Sequence, residues 1–266
     1  MKNKSFMAQK INIDSIDKDR FNNSISIALS DTIGSNGIGT LSEKSVHATL
    51  KYYYEPNHDF HEIPINGYVA DAFNDGEILE IQTKSFFSIK EKLISFLRDY
   101  DVTVIYPVAV KKYIRYITPE TGKITEPVVS PKSQGLYSIL PELYGIRDLL
   151  SCERLHFIMC FINIEEYKLL DGTGKDKKIH CTKLDRVPLE ILGEYYINSS
   201  ADLTGFLPAE ELPKNFTTKD ISEISGYNIS YAQLLVNILS HLNLIECTGK
   251  KGRYKLWTIL PATLQL

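Results

Sequence analysis

The sequence predicts an α/β fold, a mixed sheet core flanked by helices with a small helical module at the C-terminal end. Three observations carry that reading. Two short alternating segments meet at Asn74-Asp75-Gly76, and Asp-Gly between alternating runs is a strong hairpin signal. Around this hairpin the patterns follow the order helix, three strands, helix, strand. Beyond about residue 208 the order changes to helix, turn, helix and a basic hairpin.

The elements follow in order. Residues 1–40 are polar, with Ser, Asn and Gly clustered at 30–39, and read as a loose N-terminal arm. Its glycines, Gly34, Gly37 and Gly39, fit neither a Walker motif nor a dinucleotide fingerprint. A helix is expected over 40–54. Thr40-Leu41-Ser42-Glu43 matches a capping box, Glu43, His47, Leu50 and Tyr54 share one face, and Pro56 ends it. Residues 61–65 read as a strand, 67–84 as the hairpin, 86–100 as a helix, and 103–108 as a short strand closed by Pro107. Residues 111–127 alternate well enough for a second hairpin turning at 119–122, followed by a helix at 137–150 and an apolar strand at 155–164. The loop 171–178 is basic and polar, the composition of solvated surface.

Composition sets the remaining bounds. The chain has 266 residues, 43% hydrophobic and 24% charged, as in a soluble globular protein. A net charge of -3 excludes a globally basic nucleic-acid binder, so any basic surface must be local. Cys152, Cys160, Cys181 and Cys247 form no Cys-x-x-Cys pair, which argues against a zinc site or a disulfide framework and fits a cytoplasmic protein. No secretory leader or membrane-length apolar run is present.

The chemistry concentrates at 67–84. Asp71 stands alone among Val69, Ala70, Ala72 and Phe73. On the second arm, alternation puts Glu80, Gln82 and Lys84 on one face and Leu79, Ile81 and Thr83 on the other. An acid inside each of two apolar strands is costly without a compensating charge, and a divalent metal supplies one. Carboxylate ligands suit Mg²⁺, or Mn²⁺.

The pattern Asp, eight residues, Glu-x-Gln resembles the PD-(D/E)XK nuclease superfamily. That resemblance implies a restriction-endonuclease-like domain over 41–200. It implies metal ligation by Asp71 and Glu80, and it places Gln82 where the superfamily ordinarily has lysine. Lys84, two residues on and on the same face, offers an ammonium, and Glu43 matches the acid that many members add from the first helix. The Pro that usually precedes the first Asp is absent, since Ala70 stands there.

The C-terminal piece resembles a winged helix-turn-helix domain, assigned to 208–266. Helices at 216–225 and 230–243 are separated at Gly226, and a strand at 244–246, a turn at 248–252 and a strand at 253–259 follow. That resemblance implies a duplex-DNA surface carrying Ser230, Tyr231, Gln233 and Asn237 on the second helix and Lys250, Lys251, Arg253 and Lys255 on the wing. The whole chain also resembles uncharacterised bacterial proteins that join these two parts. The expected activity is metal-dependent DNA cleavage, suited to restriction, mobile-element defence or repair. The alternatives are an inactive nuclease-fold DNA-binding regulator or assembly subunit, and an interaction module without DNA binding. A homodimer is left open.

Overall fold

The computed structural model describes residues 12–35, 44–173 and 181–261, with side chains over 12–30, 45–173 and 181–261. The capping box with Glu43 and most of the basic loop at 171–178 lie outside the described residues.

A seven-stranded mixed sheet organises the molecule. Its strands are β1 (His61–Ile65), β2 (Tyr68–Asn74), β3 (Glu77–Ile81), β4 (Asp101–Ile117), β5 (Val128–Val129), β6 (Leu155–Leu169) and β7 (Thr182–Ile197). The order across the sheet is β1-β2-β3-β4-β6-β7, with β5 on β4. β1, β2 and β3 form an antiparallel meander. β4 lies parallel to both β3 and β6, and β7 returns antiparallel to β6. Two tight turns build the meander. Asn66 and Gly67 have φ of 50° and 81°, and Asp75 and Gly76 have φ of 50° and 87°. Positive φ at both central residues is the type I′ pattern that suits the twist of paired strands.

β4 departs from expectation. The short strand at 103–108 and the first arm of the second hairpin are one strand of 17 residues, running straight through Pro107. The reason lies in which edge the proline faces. A residue's N–H and C=O point to the same side of a strand, and sides alternate. Ile105 O accepts from Gln82 N–H at 2.9 Å, so Ile105 faces β3, and so does Pro107 two residues on. β3 has already ended at Ile81. The missing N–H therefore interrupts no ladder. The turn expected at 119–122 is present, with Gly122 N–H donating to Thr118 O at 2.8 Å.

β7 had no counterpart in the sequence pattern. Pro188 and Gly193 interrupt it, and its ladder with β6 shifts register at three places, so no period of two survives. β6 extends past its expected end to Leu169.

Helices cover both faces. They are α1 (Lys18–Ser35), α2 (Lys44–Tyr54), α3 (Lys90–Phe96) and α4 (Leu140–Gly145). Segments of 3₁₀ helix at Phe86–Ile89, Leu136–Ile139 and Arg147–Leu149 take up much of the rest of the two expected helices at 86–100 and 137–150, and residues 97–99 are turn. One apolar cluster packs Leu93, Phe96, Val102, Val104, Phe157 and Phe161 together. A second packs Phe21, Val46, Leu50, Ile105, Cys160 and Ile162. β4 and β6 thus bury alternate residues on opposite faces, which is why they read as continuous apolar runs.

The expected arm at 1–40 contains α1. The helix is polar, and Ser24, Ser26 and Ser30 each return their hydroxyls to the carbonyl four residues back. Its buried contacts, Phe21, Ser24 and Ala28, are too few and small to give an amphipathic signal.

The C-terminal module comprises α5 (Thr218–Ser225), α6 (Ile229–His241), β8 (Ile245–Lys251) and β9 (Tyr254–Ile259). Thr217 and Asp220 form a reciprocal capping box, and Gly226, at φ 73°, ends α5 in the left-handed conformation. Phe216 exchanges two backbone hydrogen bonds with Trp257. The hairpin turn is tighter than expected. It sits at Gly252 and Arg253, and β8 carries a bulge between Cys247 and Gly249. The first apolar cluster continues into this module through Phe206, Phe216, Leu235, Ile238 and Trp257. Tyr137 stacks on Tyr227 with ring centroids 4.2 Å apart and donates its hydroxyl to Phe206 O. No helix among the described residues is long and apolar enough to cross a membrane.

The shared core predicts one cooperative transition. Leu235→Ala should lower stability by about 3 kcal/mol. Urea unfolding followed by the fluorescence of Trp257, the sole tryptophan, and by far-ultraviolet circular dichroism should shift together. A shift in fluorescence alone would show that the two parts unfold independently.

Candidate functional site

The two meander turns fix which residues stand side by side. β2 and β3 pair Ala72 with Leu79, and the same register continued by one residue sets Asp71 opposite Glu80. β1 and β2 pair His61 with Ala72 and Ile63 with Ala70, so Glu62 falls opposite Asp71. Three acids therefore stand in a row across three neighbouring strands. Glu62 departs from regular strand geometry there, with φ of 56°.

Asp71 and Glu80 interlock. Ile81 N–H donates to Asp71 Oδ2 at 2.8 Å, and Asp71 N–H donates to Glu80 Oε1 at 3.3 Å. Each acid of the row also has its own base. His47 Nε2 lies 3.0 Å from Asp71 Oδ2; since an ionised carboxylate only accepts, that nitrogen carries the hydrogen. Lys92 Nζ on α3 is 2.7 Å from Glu80 Oε2. Lys51 pairs with Glu62. His47 and Lys51 are four apart on α2, one turn, so a single helix face serves two strands.

These surroundings drive the two central acids apart. Glu80 is 3% exposed, and burial, reinforced by the charge on Asp71, pushes its carboxyl up to about 7 against the pull of Lys92. Burial acts on Asp71 in the same direction, but the hydrogen bond and charge of His47, the Ile81 N–H and Lys92 outweigh it and hold Asp71 below the usual carboxylate range. The pair shares its charge unequally, with Asp71 the ionised member.

The other expected residues fall differently. Gln82 lies just past β3, and its Nε2 donates to Ser85 O at 2.8 Å and to Ser88 Oγ at 3.4 Å. Its amide ties down the turn into α3. Lys84 is exposed beyond the strand end. The ammonium beside the acids comes from Lys92, which sequence reasoning missed. It stands one turn before buried Phe96 on α3. Glu62 was also missed, although counting back through Asn66-Gly67 places it.

A divalent cation fits this donor set. Mg²⁺ is commonly held by one or two carboxylates, with waters and substrate oxygens completing six ligands. Both hydrogen bonds of the Asp71 side chain fall on Oδ2, which leaves Oδ1 for a ligand. A cation between Asp71 and Glu80 would also relieve the repulsion that lifts Glu80. Among the described residues no three His, Cys, Asp or Glu side chains converge as a metal-binding group. A separate cavity of ≈ 570 Å³ lies between α1 and the strands, lined by Lys18, Asn163, Glu165 and Glu190, and neither Asp71 nor Glu80 lines it.

On the C-terminal module, Gln233 and Asn237 are exposed on α6, and Arg147 Nη1 donates to Asn237 Oδ1 at 3.0 Å. Tyr231 is half-buried against Tyr227 rather than exposed. Ser230 donates to the cap residue Asn228. Lys250, Lys251 and Arg253 are exposed at the hairpin tip. Between α6 and β9 runs a groove of ≈ 550 Å³, lined by Arg147, Gln233, Asn237, His241, Arg253 and Lys255 among others.

A family model for a domain of unknown function, DUF8091, matches residues 44–198, more than half of the chain. The chain belongs to the DUF8091 family. The DUF8091 match takes in all six residues of the acid row and its bases, and it ends before α5. A relative named "Uncharacterized protein" from Treponema pallidum (strain Nichols) is 29% identical over 226 residues, covering 84% of this chain and 88% of its own. No solved structure matches.

The raised Glu80 carboxyl gives a signed prediction. Between pH 4.5 and about 7 the folded DUF8091 chain keeps a proton that the unfolded chain releases. This group's contribution to stability is therefore full below about pH 4.5 and is lost as pH rises through about 7. Glu80→Gln escapes that loss. Its stability relative to the parent should rise by about 2 to 3 kcal/mol between pH 4.5 and 8, measured by urea unfolding. A difference independent of pH would mean that Glu80 ionises normally.

Proposed function

We propose that this protein is a metal-dependent nuclease acting on duplex DNA, with Asp71 and Glu80 holding Mg²⁺ or Mn²⁺ and the C-terminal module gripping the duplex as a winged helix. The observation that carries the reading is the interlocked Asp71–Glu80 pair, with Lys92 2.7 Å from Glu80. Two unlike carboxyls and an ammonium on neighbouring elements are the groups that phosphodiester hydrolysis uses. A bound metal polarises the phosphate and makes its water acidic. Asp71 stays ionised as an anchor because His47 and the Ile81 N–H hold it so. Glu80, pushed up to about 7 without a metal, would release its proton to ligate one. Lys92 keeps a positive charge at the carboxylate that faces it, and that charge can offset the anion formed on cleavage.

The C-terminal surface supports duplex binding by its charge. Lys250 stands directly opposite Lys255 in the hairpin ladder, a like-charge pair that repels unless an anion lies against it. The groove beside it adds Arg147 and Arg253.

A second reading, an inactive nuclease-fold regulator or assembly subunit that binds DNA, is favoured by Gln82. It occupies the position where a lysine is usual, and its amide is committed to Ser85 and Ser88.

Plasmid cleavage with Mg²⁺ and with Mn²⁺ separates the two. The parent should nick or linearise plasmid, Asp71→Asn should fold and lose at least about 100-fold in rate, and Lys92→Ala should lose less, on the order of 10-fold. Cleavage by Asp71→Asn at the parental rate sinks the nuclease reading. Duplex binding without cleavage under either metal selects the regulator.

For the module, Lys250→Ala, Lys251→Ala and Arg253→Ala together should weaken duplex binding about equally for all sequences. The salt slope should fall by about one unit for each phosphate that the wing no longer neutralises. An unchanged slope removes the wing from the interface.

A further inference from the structure

Further along the same sheet, Glu166 on β6 is wholly buried at 0% exposure, and neither of its oxygens has a hydrogen-bond partner. Cations surround it at slightly longer range. Lys168 Nζ is 3.3 Å away, Arg186 Nε 3.4 Å and Lys112 Nζ 3.5 Å. Lys183 stands directly opposite Lys168 in the β6–β7 ladder. Four cations thus gather about one carboxylate, from β4, β6 and β7.

The neighbouring acids are occupied. Glu165 accepts from Arg115 at 2.6 Å and from Tyr167 at 2.6 Å. Asp185 is buried and accepts from Ser45. Among the described residues Lys112, Lys168, Lys183 and Arg186 thus face two carboxylates, Glu166 and Asp185, whereas the acid row has one base per acid. Lys112 registers the excess. Burial lowers its pKa, and Arg186 and Lys183 lower it further although Glu166 pulls the other way. A cross-strand lysine pair and a crowded ammonium are costly without an external anion.

One edge of the cluster, at Arg186, reaches the end of the hairpin. Arg186 and Thr83, the residue after Gln82, line one small cavity of ≈ 50 Å³ with Pro107, Ala109 and Gln134.

We propose that Lys112, Lys168, Lys183 and Arg186 bind phosphodiester oxygens of the nucleic acid strand whose scissile phosphate lies at Asp71 and Glu80, an assignment that rests on the nuclease-fold reading. Glu166 sets the spacing of the four cations by attracting three of them directly. Its burial keeps it from meeting the phosphate itself.

Binding and cleavage are separated by working with Asp71→Asn protein in EDTA, measuring the anisotropy of a labelled duplex across a salt series. Lys112→Gln with Lys183→Gln should weaken binding at least several-fold and reduce the salt slope by about two. Glu166→Gln leaves all four cations and removes the internal anion, so it should tighten binding. A purely structural cluster gives the opposite result, because loss of the central carboxylate loosens the sheet. Equal or weaker binding by Glu166→Gln overturns the proposal, even where the double variant is unstable. So does a folded double variant with unchanged slope. Should the wing substitutions alone lower the slope, this cluster falls and the nuclease reading stands. If the parent binds no duplex, both fall. Inorganic phosphate provides the last arm. If it raises the melting temperature of the parent, and that of Glu166→Gln further, while duplex affinity is the same in both, the site takes free anions and the strand assignment is overturned.

Discussion

An acid buried in a sheet must be met by a positive charge or a proton, and much of this molecule is arranged around that requirement. Two type I′ turns line up Glu62, Asp71 and Glu80 across β1, β2 and β3. Carboxylates side by side repel, and Asp71 and Glu80, unlike exposed Glu62, have little water. α2 answers with His47 and Lys51 from one face, and α3 answers with Lys92. The placement of both helices is therefore tied to the meander as much as to the apolar clusters beneath them. Glu80, the most buried of the three, is the one whose compensation is partly a proton.

The two charged regions of the sheet use the same chemistry in different proportions. In the meander, acids and bases are matched, so the site is nearly neutral and has a titrating member. Around Glu166 the cations outnumber the central carboxylate. Matching suits a place that exchanges a proton or a metal. Excess suits a place that receives an anion from outside.

Much of the fold was legible because its local signals agree with one another. Asp75-Gly76 announced the hairpin, and Gly226 marked the end of α5. The pairing of Asp71 with Glu80 followed from counting through one turn. Counting through Asn66-Gly67 would have added Glu62, but a lone Glu in a five-residue strand carried no composition signal. Lys92 was hidden because a helix position reaches a strand residue only through tertiary packing, which no spacing rule expresses. β7 was illegible for a backbone reason: its register shifts erase the alternation that identifies strands. Tyr231, expected on the outer face of α6, turns inward because Tyr227 and the apolar cluster offer its ring closer packing than solvent does.

Beyond the end of β3, the outer edge of β4 is closed by a succession of small devices. Pro107 offers no donor. Gln134 then takes Ala109 with both its backbone N–H and its side-chain oxygen, at 2.9 and 2.8 Å. β5 pairs with Tyr113 and Ile114, and Ile124 bridges Ile117. A long, apolar, open strand edge is a template for another chain's strand. Here that template is broken into pieces too short to recruit one, so the same irregular loop that looks like a detour in the chain path protects the protein from edge-to-edge aggregation.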